Sequence, residues 1–171
     1  DLLKKYPIKI INDVKGSFDE QALREIANSG CKFALMHSLN IPVESNNVLS
    51  RSFHEDLIKW ANNSLNKLTN LGFSANDIIL DPGIGFGKTP YQNIAILKNI
   101  EAFKKLGCQI MLGHSRKSYI QAFSIQEAQN RDIETIAISL AVADKVDFLR
   151  VHNVKDHMRA MVSNYLVKEE R

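Results

Sequence analysis

Short apolar runs punctuate the chain, and each breaks off into polar or glycine residues: Ile8-Lys9-Ile10-Ile11, Phe33-Ala34-Leu35-Met36, Ile78-Ile79-Leu80, Ile110-Met111-Leu112 and Phe148-Leu149-Arg150-Val151. Runs this short and this continuously apolar read as buried parallel strands. Between them the spacing is helical and the helix ends are marked. Ser17-Phe18-Asp19-Glu20 has the form of a capping box and opens a helix that stops at Gly30. Thr89-Pro90 sets an N-cap before a first-turn proline, opening a helix that ends near Gly107. Further helices are expected over about residues 52–71, 132–145 and 155–168, and Asp1-Leu2-Leu3-Lys4-Lys5 reads as the end of another. The order βαβαβαβαβα demands a parallel sheet clothed by helices, either a barrel or an open doubly wound sheet. Asn40 to Ser50, the longest polar irregular stretch, is expected to form a loop over the site.

The position of the reactive residue types tilts that choice. Asn12 and Asp13 follow the first run, Met36 and His37 the second, Asp81 the third, the group from Ser115 to Ser118 the fourth, and Arg150 with His152 the fifth. In a (β/α)8 barrel all strand ends open into one mouth, so polar cargo at every end makes a single site. An open sheet would use mainly its switch point. The fold class expected is therefore α/β, of the TIM (β/α)8-barrel family, as a partial barrel of about five parallel strands with flanking helices.

Composition narrows the partners. With 171 residues and 44% apolar composition, residues 1–171 are expected to form one domain around one core. A net charge of +3 carries no basic block or acidic tail, which argues against nucleic acid and membrane surfaces and leaves a small molecule or another protein chain. Cys31 and Cys108 lie far apart without CxxC spacing, so zinc and a disulfide framework are not expected, and buried, inert thiols are. No apolar run reaches the roughly 20 residues that span a bilayer, and no signal peptide precedes the first strand, so a cytoplasmic location is expected. The start at Asp1, inside a helix end and without a cap, suggests a chain truncated at its N-terminus.

Asp81-Pro82-Gly83-Ile84-Gly85-Phe86-Gly87-Lys88 is the sharpest local signal. A carboxylate emerging from an apolar strand is costly to desolvate unless a cationic or multiply donating partner meets it. A cyclic amidine or guanidine-like ring edge, with two parallel N–H donors, suits it. The glycines, Gly85 among them, let the backbone turn and approach a ligand, while Phe86 can lie over a flat ring. A Walker A loop is excluded, because its first glycine would fall at Pro82. Taken alone, Asp-Pro-Gly is more often a plain turn ending a strand.

Gly113-His114-Ser115-Arg116-Lys117-Ser118 follows the next strand and opens a short helix, whose N–H groups with the Ser118 hydroxyl suit a carboxylate or phosphate. Lys117 adds a compact charge, and Arg116 is counted with the binding residues. Out of context, such a stretch is more often a solvated turn. Arg150-Val151-His152 alternates on a strand, so both polar side chains point one way and form an anion clamp suited to a pyrophosphate leaving group. Without the barrel, an exposed strand face is an equal reading. Asn12 offers donor and acceptor to a heteroaromatic edge, Asp13 and Lys15 order the loop, and Met36 supplies an apolar wall. His37 reads as hydrogen-bonded structure, and His54, His114 and His157 as structural or exposed. No residue is assigned as a metal ligand.

In this order, Ile-Ile-Asn-Asp, Leu-Met-His, Asp-Pro-Gly-Ile-Gly-Phe-Gly-Lys, Gly-His-Ser-Arg-Lys-Ser and Arg-Val-His-Asn-Val-Lys resemble strands four to eight of the dihydropteroate synthase family, along the whole chain. The resemblance implies a TIM barrel of the folate pathway that condenses 6-hydroxymethyl-7,8-dihydropterin pyrophosphate with p-aminobenzoate, and that sulfonamides inhibit. It implies that Asn12, Asp81 and Lys117 hold the pterin ring, Arg150 and His152 the pyrophosphate, Ser118 the carboxylate of p-aminobenzoate, and Phe86 the arene pocket. His114 falls at a variable position. The family implies magnesium, with ligands on strands this chain lacks, and a homodimer through the C-terminal helices. Lacking strands one to three, the chain is expected to be inactive, with two open strand edges and an uncovered apolar interior. Two alternatives stand beside this: the pterin-binding barrel of corrinoid-dependent methyltransferases, which needs no anion clamp, and a non-catalytic pterin-binding fragment.

Overall fold

A computed structural model describes residues 2–38 and 53–168. Among these residues, five strands alternate with helices in the expected order: β1 (Ile10–Asp13), β2 (Lys32–Met36), β3 (Ile78–Asp81), β4 (Gln109–Leu112) and β5 (Phe148–Leu149). All pairings are parallel, and the spatial order is the chain order. A doubly wound sheet would reverse its order at a switch point, and this one does not. The strands form a curled half-barrel, flanked by α1 (Leu2–Lys5), α2 (Glu20–Asn28), α3 (Phe53–Asn70), α4 (Pro90–Lys98), α5 (Glu101–Lys104), α6 (Asp132–Val142) and α7 (Val154–Lys168).

Because side chains alternate along a strand, the sheet has two distinct apolar faces. Phe33, Ile78, Leu80, Ile110 and Leu112 point outward and pack with Leu57, Leu68, Ile96, Phe103 and Ile120 from the helical layer. Ala34, Ile79 and Met111 point inward, with Ile10 and Phe148 against them. The inner face is less bare than its missing neighbours would suggest, since Ala34 and Ile79 are fully buried. Both outer strands keep one unpaired edge among the described residues.

Three boundaries differ from the sequence expectation. The N-cap of α2 is Asp19, whose carboxylate accepts from Ala22 N, so Ser17 does not open a capping box. The Thr89 cap does form one, complete with Gln92, but α4 stops at Lys98 instead of running toward Gly107. There Asn99 turns its side-chain amide onto the Ala95 carbonyl, competing with the helix ladder, and the chain resumes as α5 after the fully buried Ile100. β5 ends at Leu149, so Arg150 and His152 lie beyond the strand. The loop expected over Asn40 to Ser50 falls outside the described residues. Cys31 and Cys108 are both free; Cys31 is buried, and burial pushes the Cys108 thiol up to about 11. No helix among the described residues is long and apolar enough to cross a membrane.

Candidate binding site at the barrel mouth

The inward-facing row that carries Ile79 ends at Asp81, with Met36 as its register partner on β2. Asp81 is 1% exposed. One carboxylate oxygen accepts from Gly83 N at 2.8 Å, and the other lies 3.9 Å from the Arg150 guanidinium. Burial pushes its pKa up, while the Gly83 N–H and the charges of Lys117, Arg150 and Lys88 pull it back.

The loop after β3 is tied down from within. Lys88 is buried and spends its ammonium on three acceptors: Gly83 O at 2.9 Å, Phe86 O at 3.0 Å and His37 Nδ1 at 3.0 Å. Burial brings Lys88 down to about 7, and burial with the Lys88 charge brings His37 down to about 3, so the imidazole is a neutral acceptor. Buried Asn93 on α4 holds the other end, accepting from Gly85 N and donating to the Lys88 and Thr89 carbonyls. Gly83 has φ 69°, and a Cβ there would lie 1.8 Å from the His37 carbonyl oxygen. Only glycine fits.

Across from this loop lies a cavity of about 350 Å³, with Phe86 and Lys117 on one side and Gly113, Ser115, Arg150 and His152 on the other. Lys117 crosses over the Phe86 ring, 4.3 Å from its centroid, and donates to Ile84 O. Burial lowers its pKa to about 8. A Cβ at Gly85 would lie 2.9 Å from Lys117 Cδ, so Gly85 makes room for this lysine. Arg150 N continues the ladder onto Leu112 O, which carries its side chain inward past Gly113. The half-exposed Arg150 head and His152 face the cavity although neither belongs to β5.

The structure thus gathers Phe86, Lys117, Arg150 and His152 around one cavity, with Asp81 behind Arg150. Four other sequence candidates do not line this cavity. Arg116 sits at φ 58° and turns away, pairing bidentately with Asp132 at 2.7 and 2.8 Å. Ser118 is exposed at the start of a 3-10 helix, Ser118–Ala122, too short to act as a helix dipole. Asn12 is exposed at the inner end of β1. Met36 is buried beside Asp81 and lines a separate cavity of about 220 Å³ between β1, β2 and α3. Asp13 does order its loop, accepting from Lys15 and Gly16 N. His114 is fully buried against Thr135 O and Ser139 Oγ, and His157 bonds Asn153 O.

His37 is hydrogen-bonded structure, as the sequence suggested, but its partner Lys88, the roles of Ser115 and Asn93, and the Asp132–Asn153 link were missed by sequence reasoning. Lys88, which closes the glycine motif, and Ser115, inside the motif after β4, had a visible signal; Asn93 and the Asp132–Asn153 link had none. Among the described residues there is no group of three or more His, Cys, Asp or Glu side chains that could hold a metal. The donor set of the mouth is cationic, and its one buried carboxylate is already engaged by Gly83 N. These residues do not fit a magnesium cage.

A half-barrel that closes off a buried carboxylate with two cations and a ring defines a strand-end binding protein of the barrel class. The chain belongs to the pterin binding enzyme family, whose model matches residues 3–152. It is 36% identical over 164 residues to a folate synthesis bifunctional protein of Chlamydia trachomatis, covering 92% of this chain and 36% of that protein. It is 34% identical to a dihydropteroate synthase of Clostridium beijerinckii, covering 88% of this chain and 55% of the other. The dihydropteroate synthase of Anaplasma phagocytophilum, solved with bound 6-hydroxymethylpterin-monophosphate, superposes with a TM-score of 0.88 at 35% identity, covering 96% of this chain and 66% of that one. The chain thus spans from about a third to just over half the length of these curated relatives.

Proposed function

We propose that this chain carries the pterin and pyrophosphate contacts of a dihydropteroate synthase, which joins 6-hydroxymethyl-7,8-dihydropterin pyrophosphate to p-aminobenzoate. The observation that carries this reading is Asp81, buried on the inner face and bordered by the cations of Lys117 and Arg150. Its carboxylate takes the paired N–H edge of the pterin, Lys117 and Phe86 flank the ring, and Arg150 with His152 receives the pyrophosphate. Asn12 and Met36 complete the pterin side, and Ser118 the p-aminobenzoate side.

The reaction is a dissociative substitution. Arg150 and His152 stabilise the departing pyrophosphate, and Asp81 steadies the pterin cation left behind. An arylamine is already a competent nucleophile, so orientation replaces a general base. Magnesium has no fitting ligand set among the described residues. A cytoplasmic location and a homodimer through the C-terminal helices belong to the same proposal.

Calorimetry with 6-hydroxymethylpterin tests the reading: saturable binding that Asp81→Asn strongly weakens supports it, and equal binding by parent and variant overturns it. A second reading is pterin binding by the same pocket without turnover. Release of pyrophosphate from the pterin substrate separates the two readings, since a pure binder releases none.

A further inference from the structure

Ser115 differs from the other polar groups around the cavity, because its hydroxyl is already committed. It lies in the loop after β4 and is 3% exposed. Its Oγ accepts from the backbone N–H of His152 at 3.3 Å and lies 2.9 Å from His152 Nδ1. A hydroxyl still has one proton to place. Among the described residues, the imidazole Nδ1 is the acceptor within its reach. Leaving a buried donor unpaired costs about 1–3 kcal/mol, enough to decide between tautomers.

We propose that Ser115 is a positioning residue that fixes His152 as its Nε2–H tautomer, so that a neutral ring donates into the cavity toward an oxygen of a phosphate or pyrophosphate group. The opposite tautomer would turn a lone pair toward that anion, converting a hydrogen bond into a repulsion. Nε2 has no partner among the described residues, and His152 borders the cavity. The backbone beside it is fixed independently, since Asn153 donates to Asp132 Oδ2 at 3.0 Å and accepts from Asp156 N at 3.1 Å. Ring orientation is therefore left to Ser115. The tautomer follows from the Ser115 geometry alone, whereas the identity of the anion rests on the function proposed above.

Two measurements on the full chain test this separately. Long-range proton–nitrogen spectra of histidine-labelled protein, at a pH where imidazoles are neutral and with His152 assigned through His152→Gln, report the tautomer directly. An Nε2–H signature in the parent and in Ser115→Thr, with a mixed signature in Ser115→Ala, is expected. An Nδ1–H signature in the parent overturns the proposal even if no variant folds, and so does an unchanged signature in Ser115→Ala. Titration with inorganic pyrophosphate should show affinity falling about tenfold in Ser115→Ala and restored in Ser115→Thr. Failure of the parent to bind pyrophosphate, with the Nε2–H signature present, would sink the anion assignment and leave the tautomer standing.

Discussion

The two sides of the mouth are built on opposite plans. On the β3 side, Lys88, His37, Asn93 and the glycine backbone satisfy one another, and every ammonium hydrogen of Lys88 has a protein acceptor. On the β4 and β5 side, Arg150 reaches Asp81 only at 3.9 Å and remains half exposed, and His152 keeps Nε2 uncommitted among the described residues. One side is finished before any ligand arrives, and the other holds its donors in reserve. Rigid support beneath and free donors above is the arrangement that lets binding energy go into the ligand instead of into ordering the protein.

The same substitution on each side should break in different ways. Gly83→Ala drives a Cβ to 1.8 Å from backbone and demands φ 69° of an alanine, so the loss of stability should be about 3 kcal/mol or more by denaturant unfolding. Asp81→Asn should weaken 6-hydroxymethylpterin about a hundredfold by calorimetry, the loss of one charge-assisted pair. Gly113→Ala meets only the movable head of Arg150, at 2.7 Å. Its melting curve should stay close to that of the parent while pyrophosphate affinity drops about tenfold. A large unfolding penalty at Gly113 would erase the contrast between the two sides.

Lys117 sharpens the contrast through pH. Its folded value, about 8, lies below the ordinary 10.5, so above pH 8 the unfolded chain holds more protons than the folded one. Stability relative to Lys117→Met should therefore rise with pH across that window, while pyrophosphate affinity falls as the ammonium discharges. Parallel titrations of both quantities check the opposed signs. The smallest effect is expected at Arg116→Lys. A single-point ammonium cannot reproduce the bidentate contact with Asp132, so the melting temperature should fall slightly while ligand affinity stays unchanged.

Much of this was legible in the chain, because strand runs and the residues that end them are local signals. Asp81, Lys117, Arg150 and His152 each lie at or within five residues of a strand's C-terminal end, and the barrel brings those ends together. What escaped depends on contacts between distant segments. Arg116 looked like a binding residue because its partner Asp132 lies in the next helix, which local spacing cannot reveal. Ser115 looked like one more loop serine until the β5 end was set beside it. The stop of α4 at Asn99 rests on a competing side-chain hydrogen bond, which a helical hydrophobic pattern does not register.

The strand order has a consequence for how the chain reaches this state. Each strand pairs only with its predecessor and successor in the sequence, from β1 to β5. Each described strand after β1 thus emerges to find a partner already present, and among the described residues no pairing waits for a remote segment. Docking can proceed vectorially from the N-terminal end, at the pace of the ribosome, with the Asp81 pocket assembled before the anion side is translated.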